Sequence, residues 1–252
     1  MKAYLFITCL VYNLLPQIEI RITKIRSEQG VVVEFARSHT CCGQPAFNSG
    51  YTEDTKAVAR QFIKVFKSVI DNSPSNNSYI ICPSGSCVSM VKVYYRELFK
   101  DEPLTLDIID NISCITYEFT DFLVNVLKIT DVGAEFEGTA TYHDSCHMLR
   151  ELRVRDAPRE LMKAVKGLRL IEMEMSDACC GFGGTFSVKF PEVSVSMLDE
   201  KLDCIMKSGA DAVVSADMGC LMNIGGAISR RSLPVRVMHI AELLAAADSK
   251  VI

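Results

Sequence analysis

Tryptophan is missing from this chain of 252 residues, and so are the marks of several common protein classes. No apolar run approaches the roughly 18 residues that a membrane-crossing helix requires. No block of lysine and arginine stands out. Against 31 acidic residues there are 27 basic ones, a formal charge of −4, so the electrostatic footprint of a nucleic-acid or membrane-surface binder is lacking. With 49% apolar and 23% charged residues, disorder and fibrous repeats are excluded as well. Cysteine is the abundant oddity. Eleven cysteines are too sparse for a disulfide scaffold in a chain this long, their number is odd, and two pairs are adjacent (Cys41-Cys42 and Cys179-Cys180). This usage predicts reduced thiols held for metal or redox chemistry in a cytoplasmic protein.

The stretch Ala3–Leu15 is broken only by Thr8 and Asn13 and approximates the apolar core of a signal peptide. No small-residue cleavage site follows, because Pro16-Gln17-Ile18-Glu19 comes next, and a buried strand entering a helix is predicted instead. Farther on, short apolar runs alternate with longer amphipathic segments. Strands are expected at Lys2–Ile7, Val31–Phe35, Tyr79–Ile81, Ala140–His143, Leu168–Glu172, Ala212–Ser215 and Val235–Met238. Helices are expected at Glu53–Ile70, Cys87–Phe99, Tyr117–Leu127, Pro158–Val165, Phe190–Lys207, Cys220–Arg230 and Ile240–Ala247. Strands alternating with helices predict an α/β fold with parallel sheets covered on both faces. Asp71–Ser78, rich in Ser and Asn, reads as a surface turn, and Thr130–Gly138 as a linker between halves.

The two halves repeat one cysteine pattern. Cys9, Cys41-Cys42-Gly43 and Cys87 in the first correspond to Cys146, Cys179-Cys180-Gly181 and Cys220 in the second. The single cysteine precedes the pair by 32 and 33 residues, and the pair precedes the last cysteine by 45 and 40. Local sequence keeps the register: "SHTCCGQPAFNSG" answers "SDACCGFGGTFSV". An internal duplication follows, with pseudo-equivalent lobes over 1–133 and 134–252, each a parallel sheet flanked by helices.

In each lobe the cysteines fall at strand ends, in a Gly-containing loop and at a strand-to-helix turn, where open parallel sheets place their ligands. Four thiolates converging there select an iron–sulfur cluster, zinc or Cu(I). Zinc fits less well, since the repeated cysteines include no short C-x-x-C knuckle. Adjacent cysteines point in different directions and suit a multi-iron cluster. The flanking Gly43, Gly181 and Gly183 let backbone N–H groups approach its sulfides.

On "CCGQPAFNSGY" (Cys41–Tyr51), "PSGSC" (Pro83–Cys87), "SCHMLR" (Ser145–Arg150), "CCGFGGTFSVK" (Cys179–Lys189) and "VMHIAELL" (Val237–Leu244), the chain resembles the cysteine-rich, CCG-motif iron–sulfur proteins. They include the cysteine-rich component of heterodisulfide reductase and the iron–sulfur component of glycolate oxidase, and the likeness is greatest to the branch concerned with lactate utilization. The resemblance implies a cytoplasmic electron-transfer subunit, holding one or two clusters, in a system that oxidises L-lactate to pyruvate. Its implied partners are companion proteins, one of them itself an iron–sulfur protein. Carried over residue by residue, it implies one metal site at Cys9, Cys41, Cys42 and Cys87 and another at Cys146, Cys179, Cys180 and Cys220. The heterodisulfide reductase relatives close each motif with a C-x-x-C and hold a noncubane cluster with five cysteines. Here Ser84 and Asp217 stand at the first cysteine of that ending, so an ordinary [4Fe–4S] cluster is the simpler expectation. A heterodisulfide-reductase-like thiol/disulfide reductase is the alternative function, and a zinc-stabilised scaffold a third.

Other residues receive plainer readings. Cys114 and Cys204 lie outside the repeat and read as small buried hydrophobes, while Cys82, five residues before Cys87, stays open between ligand and core. His143 and His147 flank Cys146 but correspond to Phe6 and Leu10, so they are not part of the repeated design. They are expected to support the metal site through hydrogen bonds or to touch substrate. His239 reads as structural. Gly181–Phe186 is only superficially a dinucleotide fingerprint, because its third glycine is absent. Arg150, Arg153 and Arg155 read as a solvated face.

Overall fold

The computed structural model describes residues 1–18, 22–23, 31–36, 38, 40–71 and 78–246. It divides into two compact units, Met1–Phe119 and Thr120–Ile252. In the first, β1 (Lys2–Leu5), β2 (Val32–Phe35), β3 (Ser78–Cys82) and β4 (Thr116–Glu118) form an all-parallel sheet in the order β2-β1-β3-β4. In the second, β5 (Glu135–Tyr142), β6 (Lys166–Leu170), β7 (Ala212–Ser215) and β8 (Arg236–His239) repeat it as β6-β5-β7-β8. The expected two-lobed α/β duplication is therefore present. In both sheets the first strand pairs with the third, and the second lies outside the first. That reversal opens a crevice at the carboxyl ends of the two central strands, the natural ligand position of such sheets.

The helices cover these sheets for reasons visible in their residues. Thr52–Asp71 begins with Glu53 and Asp54 at its positive end and buries Ala59, Phe62, Ile63, Phe66 and Val69 along one face. Pro191–Ser208 starts on a proline and stops at Gly209, whose φ of 67° is the left-handed cap that glycine adopts freely. Its buried Leu198, Leu202 and Ile205 join Val213 of β7 and Ile224 in one core.

Several boundaries differ from expectation. The division precedes the expected 133/134 junction, because the π-helical segment Phe122–Val126 packs on the helix Asp156–Ala164 of the second unit. Glu135–Gly138, expected within a linker, already belongs to β5. Tyr117 and Glu118, expected to begin a helix, instead belong to the edge strand β4, bonded along β3. A helix at Pro103–Ile115 escaped the periodicity reading. Its β-branched, Asp- and Asn-containing sequence is a weak helix former, and burial of Ile109 and Ile112 stabilises it instead. Cys204 is buried as expected, whereas Cys114 is exposed, on the outer side of that unforeseen helix. Most of the Ser/Asn-rich turn, 72–77, lies outside the described residues, as does Ala247 at the end of the last expected helix.

Candidate metal centres

Each quartet of cysteines is assembled by corresponding elements. After β1, the Phe6 N–H donates to the Ile81 carbonyl (2.8 Å), and Cys9 then opens the helix Cys9–Leu14. Cys41 and Cys42 precede the short helix Gln44–Asn48, and Cys87 lies in the helix Gly85–Ser89 that follows β3. In the second unit the His143 N–H donates to Val214 O (2.8 Å), the counterpart of the Phe6 bond. Cys146 opens the π-helical segment His147–Glu151, the pair Cys179-Cys180 follows β6, and Cys220 sits in the helix Met218–Arg230 after β7.

The sulfurs meet. Cys9 Sγ is 3.7 Å from Cys41 Sγ, and Cys42 Sγ is 3.3 Å from Cys87 Sγ. In the second unit Cys146 interacts with Cys179, and Cys180 with both Cys179 and Cys220. All eight are free thiols. The Gly43 and Gly181 N–H groups each donate to the sulfur two residues earlier, Cys41 and Cys179, at 3.4 Å. Both glycines are left-handed, with φ of 87° and 80°, and a Cβ on Gly181 would lie 2.5 Å from Ser194 O. A polar side chain anchors the second cysteine of each pair: Tyr95 OH donates to Cys42 O (2.9 Å), and Asn223 Nδ2 to Cys180 O (2.8 Å).

The electrostatics define what these sites lack. Contacts from Cys42 and Cys9, then the Gly43 N–H, hold the Cys41 pKa down to about 2. Contacts from Cys146 and Cys180, helped by Gly181, do the same for Cys179, also to about 2. The donating neighbours move the other way. Cys9 and Cys42 are pushed up first by Cys41, and Cys146 and Cys180 first by Cys179, with burial adding to each. Cys42 pulls Cys87 down, and Cys180 pulls Cys220 down, but opposing influences led by Cys82 and burial at Cys87, and by burial and Asp217 at Cys220, leave both raised. Within each quartet the close sulfurs favour the thiolate at Cys41 and Cys179 and disfavour it at their neighbours, and the charge of a bound metal would let the whole set ionise.

His143 is completely buried, and among the described residues neither ring nitrogen has a hydrogen-bond partner of normal geometry. Burial, followed by the Lys201 charge, lowers its pKa to about 3, so the imidazole is neutral. Its ligand atom lies within 4.8 Å of those of Cys180 and Cys220. A soft sulfur set beside an imidazole with unsatisfied nitrogens suits an iron–sulfur group in chemistry. His147 Nδ1 lies 3.3 Å from Cys146 Sγ. Gly183 (φ 52°) serves a tight turn, where a Cβ would lie 2.8 Å from that of Phe186. His239 caps the helix Ile240–Leu244 by accepting from the Ala241 N–H, the structural task expected of it.

Cys82, left open between ligand and core, interacts with Cys87 and brings a fifth sulfur to the first unit. Two features went unforeseen. Asp217 caps its helix by accepting from the Gly219 N–H at 3.2 Å, a role a thiol performs poorly. Lys201 is buried and donates to the carbonyls of Met175 (2.6 Å) and Ser176 (3.2 Å). Its spacing from Leu198, Leu202 and Ile205 was the available signal, since it places the lysine on the apolar face.

The sequence profile of the CCG family, the cysteine-rich domain, matches residues 3–92 and 140–225. Lactate utilization protein A of Bacillus licheniformis is 48% identical over 244 residues, covering 97% of this chain and 99% of that protein. Its namesake in Bacillus pumilus is 45% identical over the same shares, and that of an Exiguobacterium strain 46% over 95% of both chains. Among solved structures, a hypothetical protein from Helicobacter pylori aligns with all of this chain at a TM-score of 0.62 and 8% identity, which establishes a shared fold. This chain spans 49% of that one.

Proposed function

Because the chain belongs to the CCG cysteine-rich domain family, we propose that it is a cytoplasmic iron–sulfur electron-transfer subunit of a multi-protein system that oxidises L-lactate to pyruvate. One observation carries the proposal: matching elements of two duplicated units each gather four chain-distant thiols at the carboxyl ends of central strands. Cys9, Cys41, Cys42 and Cys87 would hold one group, and Cys146, Cys179, Cys180 and Cys220 another. A [4Fe–4S] cluster held there supplies one-electron transfer. The chain's own residues supply the thiolates, direct N–H groups at the sulfurs of Cys41 and Cys179, and bury Cys42, Cys87, Cys180 and Cys220 from water. His143 and His147 line the second site and support it through their ring nitrogens.

On this reading the subunit moves electrons, and companion proteins, one carrying its own iron–sulfur groups, complete the oxidation. The relatives' shared name, lactate utilization protein A, supports the part of the proposal that concerns lactate. Anaerobic purification followed by iron and sulfide assay tests the proposal, with about four iron atoms expected per loaded site. Electron paramagnetic resonance after reduction should report the clusters. Zinc without sulfide would overturn the proposal. Lactate oxidation by this chain alone with an artificial acceptor would overturn the division of labour.

A further inference from the structure

The two units place their cysteines alike but surround them differently. Equivalent backbone bonds fix the correspondence. Phe6 and His143 both follow the first strand and bond to Ile81 O and Val214 O of the third. Thr55 N–H to Tyr51 O matches Ser194 N–H to Phe190 O, and the same count along these helices pairs Phe62 with Lys201. In the first unit Phe6 and Phe62 pack edge to face, with ring centroids 4.8 Å apart. In the second, the same two fully buried positions hold His143 and Lys201. A third difference has the same sense. Glu118 beside Cys82 is answered in register by His239 beside Ser215.

The second site therefore contains a buried lysine and a buried imidazole where the first has two phenyl rings, and it has His239 in place of Glu118, while its own buried acid, Asp217, stands where the first has Ser84. Burial lowers the Lys201 pKa, its Nζ donates to the Met175 and Ser176 carbonyls, and its charge acts on Cys180, Cys220 and His143. Asp217 opposes it beside Cys220, its carboxylate engaged by the Gly219 N–H at the start of the helix, and Asp177 and Asp144, the latter paired with Arg159, also act on Lys201. Positive charge and N–H donors stabilise the reduced, more negative state of a cluster, whereas an apolar wall and a nearby acid disfavour it.

We propose that Lys201, with His143, tunes the second site so that an iron–sulfur group held by Cys146, Cys179, Cys180 and Cys220 is reduced at higher potential than one held by Cys9, Cys41, Cys42 and Cys87. The inference rests on the iron–sulfur proposal above. Lys201 and His143 act here through their charge and dipole and are positioning groups for the cluster's field.

The test is a redox titration, followed by electron paramagnetic resonance, of the anaerobically reconstituted full chain. Double serine variants at Cys41/Cys42 or at Cys179/Cys180 isolate one site at a time. The second-site midpoint should lie above the first. Lys201→Met should lower it and leave the first-site midpoint unmoved, Lys201→Arg should restore it, and His143→Phe should lower it. A second-site midpoint at or below the first overturns the inference even if no Lys201 variant folds. So does a Lys201→Met protein with full iron and sulfide and an unshifted midpoint, or a second site that stays empty while the first loads. A parent protein that binds neither iron nor sulfide at either site refutes the underlying iron–sulfur proposal, a result distinct from an unshifted potential.

Discussion

Arg159 grips Asp144 as a fork, Nη1 to Oδ1 at 2.8 Å and Nη2 to Oδ2 at 2.7 Å, in a pair where both side chains are buried. The same carboxylate accepts from Ser176 Oγ (2.8 Å), and the guanidinium also reaches Glu172. This network ties the His143–Cys146 turn to the chain leading into Cys179, so two ligand-bearing loops share one anchor.

Breaking the fork should destabilise the second unit. Arg159→Met leaves Asp144 buried without its partner, and such a loss costs about 3–5 kcal/mol. Thermal unfolding of the metal-free protein checks this, and a melt indistinguishable from the parent's would sink it.

The same pair sets an acid limit. Burial alone would raise Asp144, but Arg159 and Ser176 outweigh it and hold the carboxyl below its ordinary value. A folded value below the unfolded one of about 3.9 means that the contribution is present above about pH 4 and is lost as pH falls through the folded value. Stability measured downward from pH 6 should therefore drop below about pH 4, and Arg159→Met should flatten that drop.

Alanine at the two motif glycines should act unequally. Both positions have left-handed φ, which costs a residue with a Cβ roughly 1–2 kcal/mol. At Gly43 the nearest atom is the side-chain Cγ2 of Thr55 at 3.3 Å, while at Gly181 it is backbone oxygen at 2.5 Å. Gly181→Ala should lose more stability and second-site iron than Gly43→Ala loses at the first. Equal losses, measured by melting and iron content, would contradict the geometry.

Cysteine substitutions should separate ligands from bystanders. Cys179→Ser or Cys180→Ser should abolish second-site iron while sparing the first, and Cys204→Ala should keep both. Cys114, being exposed, should be the first thiol alkylated in the loaded protein, as mass spectrometry can show.

Metal loss should expose a specific oxidation product. With Cys42 and Cys87 sulfurs 3.3 Å apart, air oxidation of metal-stripped protein should join them, and bound cluster should prevent the bond. Peptide mapping that finds random pairings instead would argue against the quartet as a preformed site.

The duplicated register was legible along the chain because ligand chemistry tolerates few residue types, so Cys41-Cys42-Gly43 and Cys179-Cys180-Gly181 declare themselves without any structure. The α/β alternation was equally legible, since buried parallel strands such as Ala212–Ser215 must be continuous apolar runs. The helix Pro103–Ile115 and edge strand β4 were not, because tertiary burial and pairing with β3 outweigh weak local propensity there. Residue type alone would make Lys201 and Arg159 ordinary surface cations, and helical spacing places only Lys201 on an apolar face. The packed structure decided what encloses them, His143 beside one and Asp144 beside the other, because whether a charge is solvated or enclosed depends on neighbours that the fold brings from distant parts of the chain.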